Sequence, residues 1–228
     1  LSISRQSLQR MPVYLELLKK IKAGGGAYVS AAFLAGELGL HPVQVRKDLA
    51  SVSKVDGNPR IGFALDGLID DMEDFLGCKN AHEAVVAGVG NLGRALLSYG
   101  GFGSYGLSII AGFDTSPEVV GTTVAGKEIF HASRISELCS RLGVHIGIIT
   151  APAAAAQSAC DALTAGGVRA IWNFAPVRLT LPPGVIVTNE NLAASFAALS
   201  GRLSQLSRGE EAAPAQAAGA QYPMPRAW

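Results

Sequence analysis

The stretch "AVVAGVGNLGRALLSY", residues 84–99, decides the fold. Apolar residues run into Gly88, and a helical pattern begins after the glycines, so the segment is a strand, a glycine-rich turn and a helix in immediate succession. Gly88 permits the tight turn, Gly90 lets the backbone approach a pyrophosphate, and Gly93 lets helix and strand pack closely. Val89, Asn91 and Leu92 complete the loop, and an anion there meets a helix N-terminus whose N–H groups lack intrahelical partners. A second strand, "LSIIAGFD" (107–114), ends on Asp114. A carboxylate at that point accepts hydrogen bonds from both hydroxyls of an adenosine ribose and repels a 2′-phosphate, which selects NAD(H) over its phosphorylated counterpart. From the motif alone, an empty Rossmann-like domain and one holding another nucleotide such as CoA stay open.

Further strands are expected at "VHIGIIT" (144–150), "VRAIWNF" (168–174) and "GVIVTN" (184–189), with helices near 91–99, 134–142 and 153–165. Continuous apolar strands joined by helical crossovers predict a parallel sheet covered on both faces. Such sheets bind ligands at the carboxyl ends of their strands, which adds Thr150, Pro152 and Asn173 to the candidate cofactor site. Thr150 equally reads as a strand-end hydroxyl satisfying its own backbone, and Asn173 as a turn residue.

The chain ahead of this unit is different. Residues 1–63 carry nine Lys or Arg against four acids, and residues 64–84 carry six acids against Lys79. A compact basic module is the electrostatic footprint expected for binding a polyanion. Leu8, Met11, Leu15, Leu18 and Ile21 recur at helical spacing and predict a helix from about residue 4 to 22, kinked or restarted at Pro12. Ser30 then caps a helix through Leu38, Gly39 turns the chain, and Pro42 opens the helix "HPVQVRKDLASV". Two helices joined by a glycine turn have the layout of a helix-turn-helix.

On the second of these helices Val45, Leu49 and Val52 face inward, while Gln44, Lys47, Asp48 and Ser51 share the outer face with Arg46 at its flank. Gln can pair bidentately with adenine and Arg with guanine, and Lys suits phosphate. "SKVDGNPRIGF", built around Asp56-Gly57, reads as a hairpin or wing bearing Lys54 and Arg60. Ser30 and Arg10 complete the candidate DNA-contacting set. The acidic stretch "LDGLIDDMEDFLG" is a further helix that Gly77 closes.

The 228 residues, 49% hydrophobic, suffice for one large domain or two small ones. No apolar run approaches the ~18 residues that span a bilayer, and "LSISRQSLQRMP" lacks the apolar core of a secretory signal, so a cytoplasmic protein without membrane attachment is expected. Cys78, Cys139 and Cys160 are odd in number and lack C-x-x-C spacing, so neither a disulfide framework nor a metal site is expected. His41 and His82 lie in or beside the basic module, His131 in a short linker and His145 at a strand start. No acid or base suited to hydride transfer stands out, and no second domain is left to form a substrate pocket. The expectation is a non-enzyme for which the coenzyme is the signal.

"VQVRKDL", "GVGNLGRALLSYGGF", "AGFDTSPEVVG", "GIITAPAAAAQSACD" and "IWNFAPV", in this order, resemble the Rex family of redox-sensing transcriptional repressors, from about residue 4 to 206. The resemblance implies an α/β protein with an N-terminal winged helix-turn-helix and a Rossmann-like parallel-sheet domain, its C-terminal helix exchanged within a homodimer. It implies binding to a palindromic double-stranded operator, with release when NADH displaces NAD+, and it places Tyr99 and Phe102 near the nicotinamide or the dimer contact. Where many members continue with an aromatic, glycine-rich run, this chain has "ASVSKVDGNPRIGF", which is similar to a divergent clade. Glu16 and Asn191 stand where some members join their domains with an Arg and an Asp.

The last helix supports a dimer separately. Leu192, Phe196, Leu199, Leu203 and Leu206 repeat at spacings of four and three, the pattern of a seam that packs on a facing helix or covers its own domain. The resulting division is a DNA-binding domain at 1–78, an NAD(H)-binding domain at 79–190, a dimerisation helix at 191–207 and a disordered tail at 208–228. The competing function is a small NAD-dependent dehydrogenase or CoA-binding protein fused to a helix-turn-helix, and a nucleotide-independent regulator is a third.

Overall fold

The computed structural model describes residues 3–55, 57–58, 60–79 and 82–207. The Asp56 half of the expected turn and the expected disordered tail at 208–228 lie outside the described residues. The chain divides into two compact units, the first reaching Lys79 and the second containing every later element through the last helix.

The first unit runs α1 (Arg5–Ala23), β1 (Tyr28–Val29), α2 (Ala31–Leu38), α3 (Pro42–Ala50), β2 (Phe63–Ala64) and α4 (Leu65–Leu76). Ser4 caps α1 by accepting from the Ser7 N–H, and Met11, Tyr14, Leu15 and Leu18 form its buried stripe. The helix passes through Pro12 without restarting. The bond that proline forfeits would go to the carbonyl of Leu8, an exposed residue, where water can serve instead. Ser30 caps α2, Gly39 ends it in the left-handed region at φ 64°, and Pro42 occupies the first turn of α3. The wing is a narrow hairpin. Asn58 and Gly62 exchange N–H···O bonds of 2.8 Å, and β2 pairs antiparallel with β1 through Val29 and Phe63. Gly62 sits at φ 85° with its α-carbon against the Val29 carbonyl, so no side chain fits there.

The second unit is a seven-stranded sheet in the order β5 (Thr123–Val124), β6 (Lys127–His131), β4 (Leu107–Asp114), β3 (His82–Ala87), β7 (Ile146–Ile149), β8 (Ala170–Asn173), β9 (Ile186–Asn189). Every pairing is parallel except that of β5 with β6. Alternate residues of β3 feed two cores. Val85 and Ala87 pack with α6 (Ile135–Leu142) and α7 (Ala153–Ala165), whereas Ala84 and Val86 pack with Leu97 of α5 (Asn91–Ser98). The β5–β6 hairpin was not expected from the sequence. Its two-residue turn has Ala125 at φ 50° and Gly126 at φ 76°, a mirror-image turn usually announced by Asn-Gly, and alanine gives no such signal.

The final helix, α8 (Leu192–Ser207), presents its apolar seam to solvent: Leu192, Phe196, Leu199, Leu203 and Leu206 are each more than half exposed. The reading in which that seam covers its own domain therefore does not hold within the single chain. Among the described residues no helix is long and apolar enough to cross a membrane, and no cluster of three or more His, Cys, Asp or Glu could hold a metal ion.

Candidate functional site

Strand order reverses between β3 and β7, and the crevice outside their carboxyl ends is where an open α/β sheet binds its ligand. Gly88 turns the chain there at φ 97°, and a side chain on it would meet Ala151 N at 2.6 Å. Gly93 lies against the Gly88 carbonyl so closely that any Cβ would collide with that oxygen. Gly90 has open space where its Cβ would stand, and no side chain caps α5. The N-terminus of α5 is thus left bare behind a backbone that a phosphate can approach through Gly90, Asn91 and Leu92.

Asp114 closes the loop. Its Oδ2 accepts from Val89 N–H at 2.6 Å and its Oδ1 from Ser116 N–H at 2.8 Å. Each carboxylate oxygen has two acceptor sites, so capacity remains for the hydroxyls of a ribose. The residues present therefore fit a dinucleotide: a glycine cradle, an uncapped helix end and an acceptor of hydroxyl protons lie in sequence along one crevice.

The later strand ends divide into two kinds. Thr150 Oγ1 donates to the Gly88 carbonyl at 2.5 Å and is the roof against which Gly93 packs, so the hydroxyl does structural duty across the crevice rather than within its own strand. Pro152 is the N-cap position of α7, on an exposed surface. Asn173 is fully buried, with Nδ2 donating to Val177 O and Asn189 Oδ1 and Oδ1 accepting from Ala175 N–H. That is the turn-residue reading: Asn173 shapes the 174–177 loop from behind.

Tyr99 and Phe102 are in edge contact at 4.9 Å between ring centroids. The run extends through Trp172, which the sequence does not single out, to Phe174 at the strand end: Phe102 meets Trp172 at 5.8 Å, and Trp172 meets Phe174 at 4.8 Å. The Trp172 indole donates to Glu190 Oε1 at 3.1 Å. The run joins the end of α5 to β8, a juxtaposition that only the strand order reveals.

In the first unit, Arg46, Lys47 and Arg60 are exposed and form no ion pair with a described carboxylate. The remaining candidates have structural partners. Ser30 accepts the Phe33 N–H, and Ser51 donates to the Asp48 carbonyl at 2.6 Å. Lys54 Nζ lies 2.8 Å from Asp74 and 3.3 Å from Asp71. Asp48, expected on the outer face of α3, is instead buried: its Oδ2 accepts from Arg10 Nε at 2.7 Å and from the Tyr14 hydroxyl at 2.9 Å. Burial and then the hydrogen bond to Asp48 push the Tyr14 phenol well above its ordinary range. Arg10 consequently points at its own protein, and Gln44 is half-buried beside it.

The acids of α4 explain the charge imbalance read in the sequence. Glu73 pairs with Lys19, Asp66 with Lys22, and Asp70 and Asp74 with Lys79. Lys19, Lys22, Lys54 and Lys79 are thereby paired, while Arg46 and Lys47 on α3 and Arg60 in the wing, like Lys20 on α1, are exposed without an ion pair to a described carboxylate. The cysteines are quiet: burial raises the Cys139 thiol to about 11 and also raises Cys160 and Cys78.

The comparisons with known proteins agree with this layout. Residues 2–50 match the model described as the N-terminus of a putative DNA-binding protein, and residues 79–177 match the CoA binding domain. The redox-sensing transcriptional repressor Rex of Bacteroides fragilis is 41% identical over 202 residues, covering 89% of this chain and 91% of that one. Among solved structures, RSP in complex with β-NAD+ and operator DNA superposes with a TM-score of 0.85 at 28% identity, covering 93% of this chain and all of that chain. RSP in complex with β-NADH gives 0.80 at 27% identity over 92% of this chain and 98% of that one.

Two outcomes are expected. Thr150→Val, close in shape, strips the Gly88 carbonyl of its donor and should lower the urea-unfolding stability of the second unit by about 1–3 kcal/mol; unchanged stability would show that the contact carries no load. Lys54 and Lys79 hold the Asp74 carboxyl at about 2, against an ordinary 3.8. Because the folded value is the lower one, this contribution is complete above pH ~4 and is lost as pH falls towards ~2, so Asp74→Asn should flatten that limb of the stability curve. An acid limb of undiminished slope in Asp74→Asn would contradict the pairing.

Proposed function

The chain belongs to the Rex family of redox-sensing transcriptional repressors, and on that footing we propose that it binds a palindromic operator and releases it when NADH occupies the crevice at Gly88–Gly93. The observation that carries the proposal is the pairing, in one chain, of an uncapped glycine-cradled helix end whose loop is held by Asp114 and a helix-turn-helix whose α3 and wing carry the exposed cations Arg46, Lys47 and Arg60. The cofactor-contacting set is Gly88, Val89, Gly90, Asn91, Leu92, Gly93 and Asp114, with Tyr99 and Phe102 towards the nicotinamide end; Thr150 and Asn173 shape the crevice from behind. Arg46, Lys47 and Arg60 face the DNA.

The functional form is a homodimer. A ridge of five large apolar side chains on α8, all more than half exposed, is the surface a second copy would cover. Two half-sites one helical turn apart, about 34 Å, then match two basic modules, and any change of dimer shape that alters their separation weakens the grip on both. The oxidised and reduced coenzymes differ in the charge and shape of one ring, so only groups near that ring can tell them apart, and the aromatic run from Tyr99 to Phe174 is the candidate for that contact. The protein works in the cytoplasm, with the genome.

The chain is read as non-catalytic. Among the described residues no histidine stands at the carboxyl end of β3, β7, β8 or β9. His82 and His145 lie at or before the amino ends of β3 and β7, and His41 caps α3. His131 ends β6 beside Asp114, with Nδ1 held 2.8 Å from Ser133 Oγ. A general acid or base for hydride transfer is therefore not supplied by these side chains. The competing dehydrogenase reading predicts steady oxidation of NADH with carbonyl substrates.

Linkage supplies the test. If NADH favours the dimer shape that operator disfavours, the two ligands must weaken each other by the same factor, and inverting a 1:99 population takes about 5.5 kcal/mol of preference. NADH titrated into the dimer with and without saturating operator should bind more weakly in the presence of DNA, and equal affinities would rule the switch out.

A further inference from the structure

Asp48 and Arg10 form a relay that ends on the Gln44 side chain. Arg10 Nε and Nη2 both lie 2.7 Å from Asp48 Oδ2, an oxygen that also accepts from the Tyr14 hydroxyl, and Arg10 Nη2 reaches Ser7 Oγ at 3.2 Å. The guanidinium is held at a fixed angle from the α1 side, and its remaining edge faces the Gln44 carboxamide. Guanidinium has donors only, so the amide must turn its oxygen towards it. In that orientation the Gln44 oxygen accepts from Arg10 Nη1 at 2.9 Å and from Nη2 at 3.1 Å. A carbonyl oxygen has two acceptor sites: Nη1 fills one, and Nη2, whose two N–H are shared among Asp48, Ser7 and Gln44, lies against the other.

Gln44 stands in the first turn of α3, the part of a recognition helix that meets base edges. A free glutamine reads adenine by accepting from N6–H and donating to N7. Gln44 cannot do so while Arg10 holds its oxygen; it has only two N–H donors to offer. We propose that Gln44 is locked as a donor and reads guanine, whose N7 and O6 are adjacent acceptors in the major groove, with Arg10 and Asp48 as the positioning residues that set this polarity from inside the protein. The inference rests on operator binding through α3 and replaces the adenine contact expected from the isolated sequence.

The test uses the full-length protein and a pool of palindromic duplexes randomised over each half-site, selected and ranked at fixed salt. Wild type should show one position where guanine is preferred about ten- to a hundredfold and where Gln44→Met erases the preference. Substituting 7-deazaguanine there should weaken binding by wild type and leave Gln44→Met unaffected. Arg10→Lys keeps a donor against the amide oxygen and should retain guanine. Arg10→Met combined with Asp48→Asn removes the relay without stranding a buried charge, frees the oxygen, and should move the preference to adenine. Adenine preferred by the wild type at the Gln44-dependent position, or guanine still preferred by the double variant, overturns the donor lock while leaving operator binding intact. Failure of wild type to enrich any sequence overturns operator recognition itself. A fold-independent control is built in, because the wild type and 7-deazaguanine arms need no destabilised variant.

Discussion

One carbonyl oxygen, that of Gly88, organises the second unit. It leaves β3 at the point where strand order reverses, accepts the Thr150 hydroxyl from the end of β7, and lies flush against Gly93 of α5. Strand, helix and neighbouring strand can converge on one atom only because two glycines present no Cβ. That convergence is also what leaves the α5 N-terminus bare and pointed along the crevice towards Asp114. The site for a dinucleotide is thus a by-product of close packing, and a change at any of the three partners disturbs packing and ligand cradle together.

The first unit is governed by where charge is cancelled. α4 buries Leu65, Leu68, Ile69, Met72 and Asp71, the last accepting from the Lys54 N–H, and its other acids Asp66, Asp70, Glu73 and Asp74 meet Lys22, Lys79, Lys19 and Lys54. Exposed pairs of this sort add little stability each. Their effect is on distribution: Arg46, Lys47 and Arg60 on α3 and the wing keep their charge unpaired among the described residues while the acids of α4 meet other lysines, and the chain as a whole keeps a net charge of only +1. The buried Arg10–Asp48–Tyr14 cluster is different in kind. It ties α1 to α3 through Asp48.

Much of this was legible in the sequence, for identifiable reasons. The helix ends at Ser30, Gly39, Pro42 and Gly77 were readable because caps and glycine turns are local signals, and the glycine loop because its residues do their work within six positions. What escaped depended on partners distant along the chain. Asp48 looks like an outer-face residue from periodicity alone; its burial depends on Arg10 and Tyr14, more than thirty residues away. Lys54 reads as a wing cation until α4 folds back to meet it. Thr150 and Asn173 were correctly placed at strand ends, but which neighbours claim their hydrogen bonds is decided by strand order. The β5–β6 hairpin was missed because its turn uses alanine where asparagine or glycine would have given it away.

The proposed function requires a free-energy coupling between the Gly88–Gly93 crevice and α3. The most direct measurement follows the fluorescence anisotropy of labelled operator with the purified protein at constant ionic strength, first saturated with NAD+ and then with NADH. The account predicts that reduced coenzyme lowers operator affinity severalfold or more while the oxidised form does not. Identical operator affinity with both forms saturating would contradict it.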